Sequence, residues 1–265
     1  MVKGDAPVML VAHLDTVHAE EVKTICKSDD GNILMSPQGI GGDDRCGVYA
    51  LSKVYEQSQV KPFLLFTCDE EIGGVGADYF CKCHKQKKLP PEVDNLKCIV
   101  EIDRRGSRDA VYYGCDNKDF EKYITSKGFV TAQGSFSDIS YIAPELGTAA
   151  VNLSSGYYNA HTQHEFINCS ELETVIEKVV EIVADSVGDN FPKYDFVKKV
   201  FGLSRFSNFD FDFDDDDNFV EISAEYAPIY DELLDYYSED ELNEIVENNG
   251  EEILQDLLFD IYYKN

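Results

Sequence analysis

Short apolar runs that stop abruptly at acidic or imidazole side chains recur through the first 155 positions. Residues 7–12, PVMLVA, end at His13-Leu14-Asp15, and Phe63-Leu64-Leu65-Phe66 closes at Asp69-Glu70-Glu71 before Gly73-Gly74. Residues 98–102, CIVEI, stop at Asp103, and a run at about 148–153 precedes His161. Unalternating apolar runs of this length are what strands covered on both faces show. A further strand is expected at about 110–114. Between the runs, apolar residues recur at helical spacing, as in Val48, Leu51, Val54 and Tyr55 after the glycine-rich turn IGGDDRCGV at 40–48. Helices are also predicted at 75–84, ahead of the basic, proline-closed loop from Lys85 to Pro91, and at about 117–126 and 138–143. A long helix at 170–188 buries Leu172, Val175, Ile176, Val179 and Val180 behind the capping stretch Asn168-Cys169-Ser170-Glu171. Strands alternating with helices predict an α/β fold of three layers around a mostly parallel central sheet.

Charge changes the picture towards the C-terminus. Of the 265 residues, 51 are Asp or Glu and 23 Lys or Arg, a net charge of -28. Residues 205–265 hold 20 acids and two bases, so -18 of that total sits in the last quarter. The predicted division is a catalytic domain at 1–198, an acidic linker at 199–222 and an acidic helical tail at 223–265. FSNFDFDFDDDDNFV at 206–220 lacks the Gly and distal Glu of a calcium loop and reads as a solvated segment. The negative balance argues against nucleic acid and anionic membranes as partners, and leaves a basic protein as a candidate partner for the tail. No run approaches the ~18 apolar residues of a membrane span, and no leader pattern follows Met1. Eight cysteines without an extracellular signal suit a reducing, cytoplasmic setting.

In an open α/β sheet, ligands gather beyond the carboxyl ends of the strands. Here His13, Asp15, Glu70, Glu71, Asp103 and His161 follow four such ends, and Asp43 lies in the glycine-rich turn. Two imidazoles among several carboxylates are a zinc-type donor mix. Two ions ~3.5–4 Å apart need a shared ligand, and Asp43 suits that place because Gly41 and Gly42 let the chain turn tightly. In Glu70-Glu71 one carboxylate can bind metal while its neighbour stays free as a base. Asp15, two residues along from His13, can fix the imidazole tautomer.

His13-Leu-Asp15-Thr-Val, Gly42-Asp43-Asp44-Arg45, Asp69-Glu70-Glu71 with Gly73, Ile102-Asp103, and Tyr158-Asn-Ala-His161-Thr together resemble the motif series of the M20/M28-type co-catalytic zinc exopeptidases. The resemblance spans about residues 7–190. It implies two divalent ions, zinc with manganese or cobalt as alternatives, one held by His13, Asp43 and Asp103 and the other by Asp43, Glu71 and His161. It implies Glu70 as general base and Asp15 as the group orienting His13. For a substrate terminus it offers Asp138 to an amine, and Arg104, Arg105 or Tyr158 to a carboxylate or oxyanion; a helix cap is an equal reading of Asp138. Residues 104–137 are too few for an inserted lid domain, so a lidless core is expected. The implied activity is an aminopeptidase or small-peptide exopeptidase. An N-acyl amino acid deacylase is the alternative within the class, and a catalytically silent binding module is the alternative outside it.

Overall fold

The computed structural model describes residues 1–113, 118–134, 136–192 and 226–233, with further positions at 242, 245–246, 253–255 and 257–258. The strand-forming runs give β1 (Val8–His13), β4 (Phe63–Thr67), β5 (Cys98–Arg104) and β8 (Ala149–Ser154). With β6 (Asp109–Val111) and β7 (Val130–Thr131) they form one sheet in the order β4-β1-β5-β8-β6-β7. All pairings are parallel except β6 with β8.

Period-two side-chain alternation divides the core. Val8, Leu10 and Ala12 of β1 join Val100 and Ile102 of β5 on one face. That face packs against α1 (Gly42–Gln57), α3 (Lys118–Ser126) and α5 (Cys169–Ser186), through buried residues such as Leu51, Phe120 and Ile176. Met9, Val11, Phe63, Leu65 and Ile99 point the other way, against Phe80 of α2 (Val75–Lys85) and Ile142 of α4 (Ile139–Leu146). Three layers result because the central strands are apolar on both sides. Truncating a fully buried Ile99 or Leu10 to Ala would cost about 2–5 kcal/mol.

Register sets the site. In β1 and β4, His13 lies level with Thr67, and β1 and β5 pair Val11 with Glu101. Two residues beyond that pair, His13 and Asp103 leave neighbouring strands at the same edge. The β5–β8 register shifts between Glu101 and Arg104, an irregularity placed beside the acidic cluster.

A second, antiparallel sheet in the order β2-β3-β10-β9 is built from Cys26–Lys27, Ile33–Met35, Phe166–Asn168 and Tyr157–Tyr158. Strands of two or three residues carry too few positions to show periodicity, so the sequence pattern did not announce them. This sheet brings in the β9–β10 loop, which carries His161. The segment between β5 and α4, where a lid would be inserted, holds β6, α3 and β7; β6 and β7 extend the main sheet and α3 packs on it.

By internal contacts, residues Met1–Gln133 with Ser137–Lys198 form one compact unit and Gly134–Phe136 with Lys199–Asn265 a second. The predicted linker at 199–222 lies outside the described residues. In the second unit, α6 (Ala227–Leu233) is helical, and Tyr230, Leu233, Leu242, Val246 and Leu254 form an apolar cluster. Among the described residues no helix is long and apolar enough to cross a membrane.

Candidate metal centre

At the carboxyl edge of the parallel strands, His13 is buried with its Nε2 3.0 Å from Asp43 Oδ1 and 3.7 Å from Asp103 Oδ1. The other Asp43 oxygen, Oδ2, lies 3.2 Å from His161 Nε2, which is 3.0 Å from Glu71 Oε2. One carboxylate thus stands between two imidazoles from distant segments. The donors fall into two groups, His13 with Asp43 and Asp103, and Asp43 with Glu71 and His161, with the donor atoms of each group within 4.8 Å of one another.

Local structure aims these side chains. Asp43 enters α1 through Gly41, whose φ of 63° is the left-handed conformation that glycine adopts without penalty. Asp43 and Asp44 depart from helical dihedrals, and the peptide between them is cis. Asp44, fully buried, accepts hydrogen bonds from the His13 N–H at 3.2 Å and the Gly47 N–H at 2.8 Å, so it braces β1 against α1. Gly47 permits that approach: a Cβ there would sit 2.3 Å from the Ile102 carbonyl oxygen. Asp15 has Oδ1 3.4 Å from His13 Nδ1, and its Oδ2 accepts the Glu71 N–H at 3.2 Å. Asp103 is framed by Asn152, whose Oδ1 accepts the Asp103 N–H at 2.9 Å, and by the Tyr157 hydroxyl 3.4 Å from Asp103 Oδ1. Asp69 and His161 hold positive φ values of 57° and 64°, in the left-handed region that residues with a Cβ seldom adopt.

Electrostatics show how crowded the rim is. Burial opposes charge on His161, yet Asp43 and Glu71 overcome it and lift the imidazole to about 11. His13 is likewise raised, with Asp103 and Asp43 outweighing burial. Asp43 is held well below the usual carboxylate range despite burial, because both imidazoles bond to it. Asp103 is pushed up to about 7 by burial and by the Asp43 charge. Glu70 rises to about 9 through burial and the charges of Asp103, Asp138 and Asp43, with His13 opposing. Carboxylates that force imidazoles to hold protons at neutral pH are a setting in which a divalent cation can replace those protons. With nitrogen and carboxylate oxygen as donors and three protein ligands in each group, the residues present fit two zinc-like ions.

The remaining candidates separate clearly. Glu70 follows β4 half-buried and, through these charges, belongs to the same rim. Asp138 is fully buried at the head of α4 but makes no side-chain cap; its Oδ2 accepts from the Thr67 hydroxyl while Oδ1 has no hydrogen-bond partner. Burial raises it to about 6. Arg104 donates to the Gln133 carbonyl at 2.8 Å, and Arg105 is exposed. Tyr158 is drawn aside: its hydroxyl bonds Glu171 of α5 at 2.6 Å and its ring stacks on Phe166.

Glu165 went unnoticed in the sequence. It is fully buried and accepts from the Gly41 N–H at 2.7 Å and the Asp43 N–H at 2.9 Å, with His18 Nε2 at 2.9 Å. His18 and His84 are both half-buried and paired with carboxylates, whereas His164 is exposed.

The family model for peptidase family M28 matches residues 1–144, more than half of the chain, a stretch that includes every cluster residue except His161. No curated protein matches the sequence. Among solved structures, the aminopeptidase PepT from Bacillus cereus ATCC 10987 matches with a TM-score of 0.51 at 16% identity, over 68% of this chain and 81% of that one. A tripeptidase from Staphylococcus aureus subsp. aureus Mu50 matches with a TM-score of 0.50, also at 16% identity and with the same two coverages, 68% and 81%. At such identities the likeness speaks for the α/β fold, while the family rests on the matched sequence model. The chain belongs to peptidase family M28.

Proposed function

We propose that this chain is a two-zinc exopeptidase that removes amino-terminal residues from small peptides. The observation carrying this reading is the divided allegiance of Asp43, with one oxygen towards His13 and the other towards His161. His13, Asp43 and Asp103 would hold one ion, and Asp43, Glu71 and His161 the other; manganese or cobalt would suit the same donors. When bound, such a pair supplies Lewis acidity towards the scissile carbonyl and an attacking water.

The chain's own groups do the rest. Cations held at this rim would draw the raised Glu70 pKa back down, and a Glu70 carboxylate oxygen would then take the proton from the attacking water and return it to the departing amine nitrogen. Asp15, facing His13 Nδ1, favours the tautomer that leaves Nε2 directed at Asp43 and Asp103. Asp138, with a buried oxygen lacking a partner, would receive the protonated amino terminus of a peptide. An N-acyl amino acid has no such ammonium, so Asp138 favours the aminopeptidase over the deacylase. The free thiols among the described residues suit a reducing, cytoplasmic setting.

A zinc-supplemented panel of unblocked, N-acylated and C-terminally blocked dipeptides tests the proposal. Turnover of unblocked and C-blocked substrates is expected. Turnover confined to N-acylated substrates would make it a deacylase, and silence across the panel would favour the binding module.

A further inference from the structure

The Asp43 carboxylate can serve two groups only if its plane is held to a fraction of an ångström, yet the backbone presenting it is irregular. Residues 40–44 pass through a left-handed glycine and two non-helical residues, and the first N–H groups of α1, like those of any helix, have no partners within the helix. A carboxylate from a distant segment supplies them. Glu165 Oε2 accepts the Gly41 N–H and Oε1 accepts the Asp43 N–H, while His18 closes the remaining side. The fit is close, since a Cβ on Gly42 would lie 3.3 Å from Glu165 Oε1 and 2.7 Å from Tyr157 Cβ.

Glu165 is also four residues from His161, at the end of the same loop, where its own N–H bonds the Thr162 carbonyl at 3.2 Å. The loop that carries His161 and the turn that carries Asp43 are therefore fastened together by one buried side chain. From this placement we infer that Glu165 is a positioning residue, which orients Asp43 and fixes its separation from His161. The inference rests on the two-ion reading and concerns a residue that touches neither substrate nor ion.

Glu165→Gln keeps the side-chain shape but replaces one acceptor oxygen with a donor, which then faces a backbone N–H. Metal-stripped wild type, Glu165→Gln, Glu165→Asp and Val179→Ala are titrated with cobalt(II), followed by calorimetry and visible absorption. Val179 is a fully buried α5 residue outside the site, and its truncation gives a fold-weakened control. Two equivalents are expected in the wild type and in Val179→Ala. In Glu165→Gln both equivalents weaken, the one beside His161 at least tenfold, with a changed visible spectrum, and Glu165→Asp restores part of the loss. Where Glu165→Gln does not fold, Glu165→Asp alone against the wild type makes the comparison, with a smaller weakening of the same equivalents expected. Affinities within twofold of wild type, or losses matched by Val179→Ala, overturn the inference and leave the two-ion reading standing. Fewer than two equivalents in the wild type overturn both.

Discussion

Substituting Asp43 by Asn separates a shared ligand from two independent sites by magnitude alone. An ion present at a thousand times its dissociation constant stabilises the native state by about 4 kcal/mol. Two ions at that excess give about 8 kcal/mol, and for a folding unit near 200 residues this raises the melting temperature by roughly 16–32 °C. Because Asp43 Oδ1 faces one group and Oδ2 the other, Asp43→Asn should abolish the whole zinc-dependent shift. Glu71 belongs to one group only, so Glu71→Gln should lose one ion's share, about 4 kcal/mol or roughly 8–16 °C. The assay is scanning calorimetry of chelator-stripped protein against free zinc. An Asp43→Asn protein that keeps half the wild-type shift would show that Asp43 serves a single ion, and the bridging argument would fail.

Three other perturbations probe separate parts of the account. Glu70→Gln should bind zinc normally while turnover falls about 10²–10⁴-fold; unimpaired turnover would remove Glu70 as the proton carrier. Tyr158→Phe should leave KM and kcat for unblocked dipeptides within twofold, because that hydroxyl is committed to Glu171, and a tenfold loss would return Tyr158 to the site. His84 bonds Glu145 of α4 and Asp94, each at 2.8 Å. Burial opposes its charge but these carboxylates raise its pKa above the ordinary 6.5. The stabilisation is then complete below about pH 6.5 and is lost as pH rises through the folded pKa. Melting of metal-free wild type should therefore fall more steeply than that of His84→Gln above pH 6.5; parallel profiles would contradict the clamp.

The strands that carry the candidate ligands were legible because each is a continuous apolar run cut off by a polar group, a pattern that suits a doubly covered parallel strand. Period-two alternation then sends His13, Asp103 and Thr67 to the same side of the sheet as Met9, Val11 and Ile99. Asp43 was legible from its glycines. Glu165 was not, because nothing in HTQHEFIN marks a buried acceptor; its role exists only once the β9–β10 loop meets the turn before α1. Tyr158 shows the converse. Its place in the Tyr158-Asn-Ala-His161 motif suggested a substrate contact, but strand parity in β9 sends Tyr157 towards Asp103 and Tyr158 towards Glu171. Asp138 was ambiguous between cap and ligand contact, and its side chain turns to Thr67 rather than to the helix N–H groups. The small antiparallel sheet stayed hidden because strands of two or three residues span barely one repeat of the period-two pattern that reveals strands.

The most direct measurement is anomalous diffraction at the zinc edge from crystals of the zinc-loaded protein. Two peaks are expected about 3.5–4 Å apart on either side of the Asp43 carboxylate, one beside His13 and Asp103 and the other beside Glu71 and His161. A single peak, or peaks coordinated by other residues, would contradict the two-ion reading.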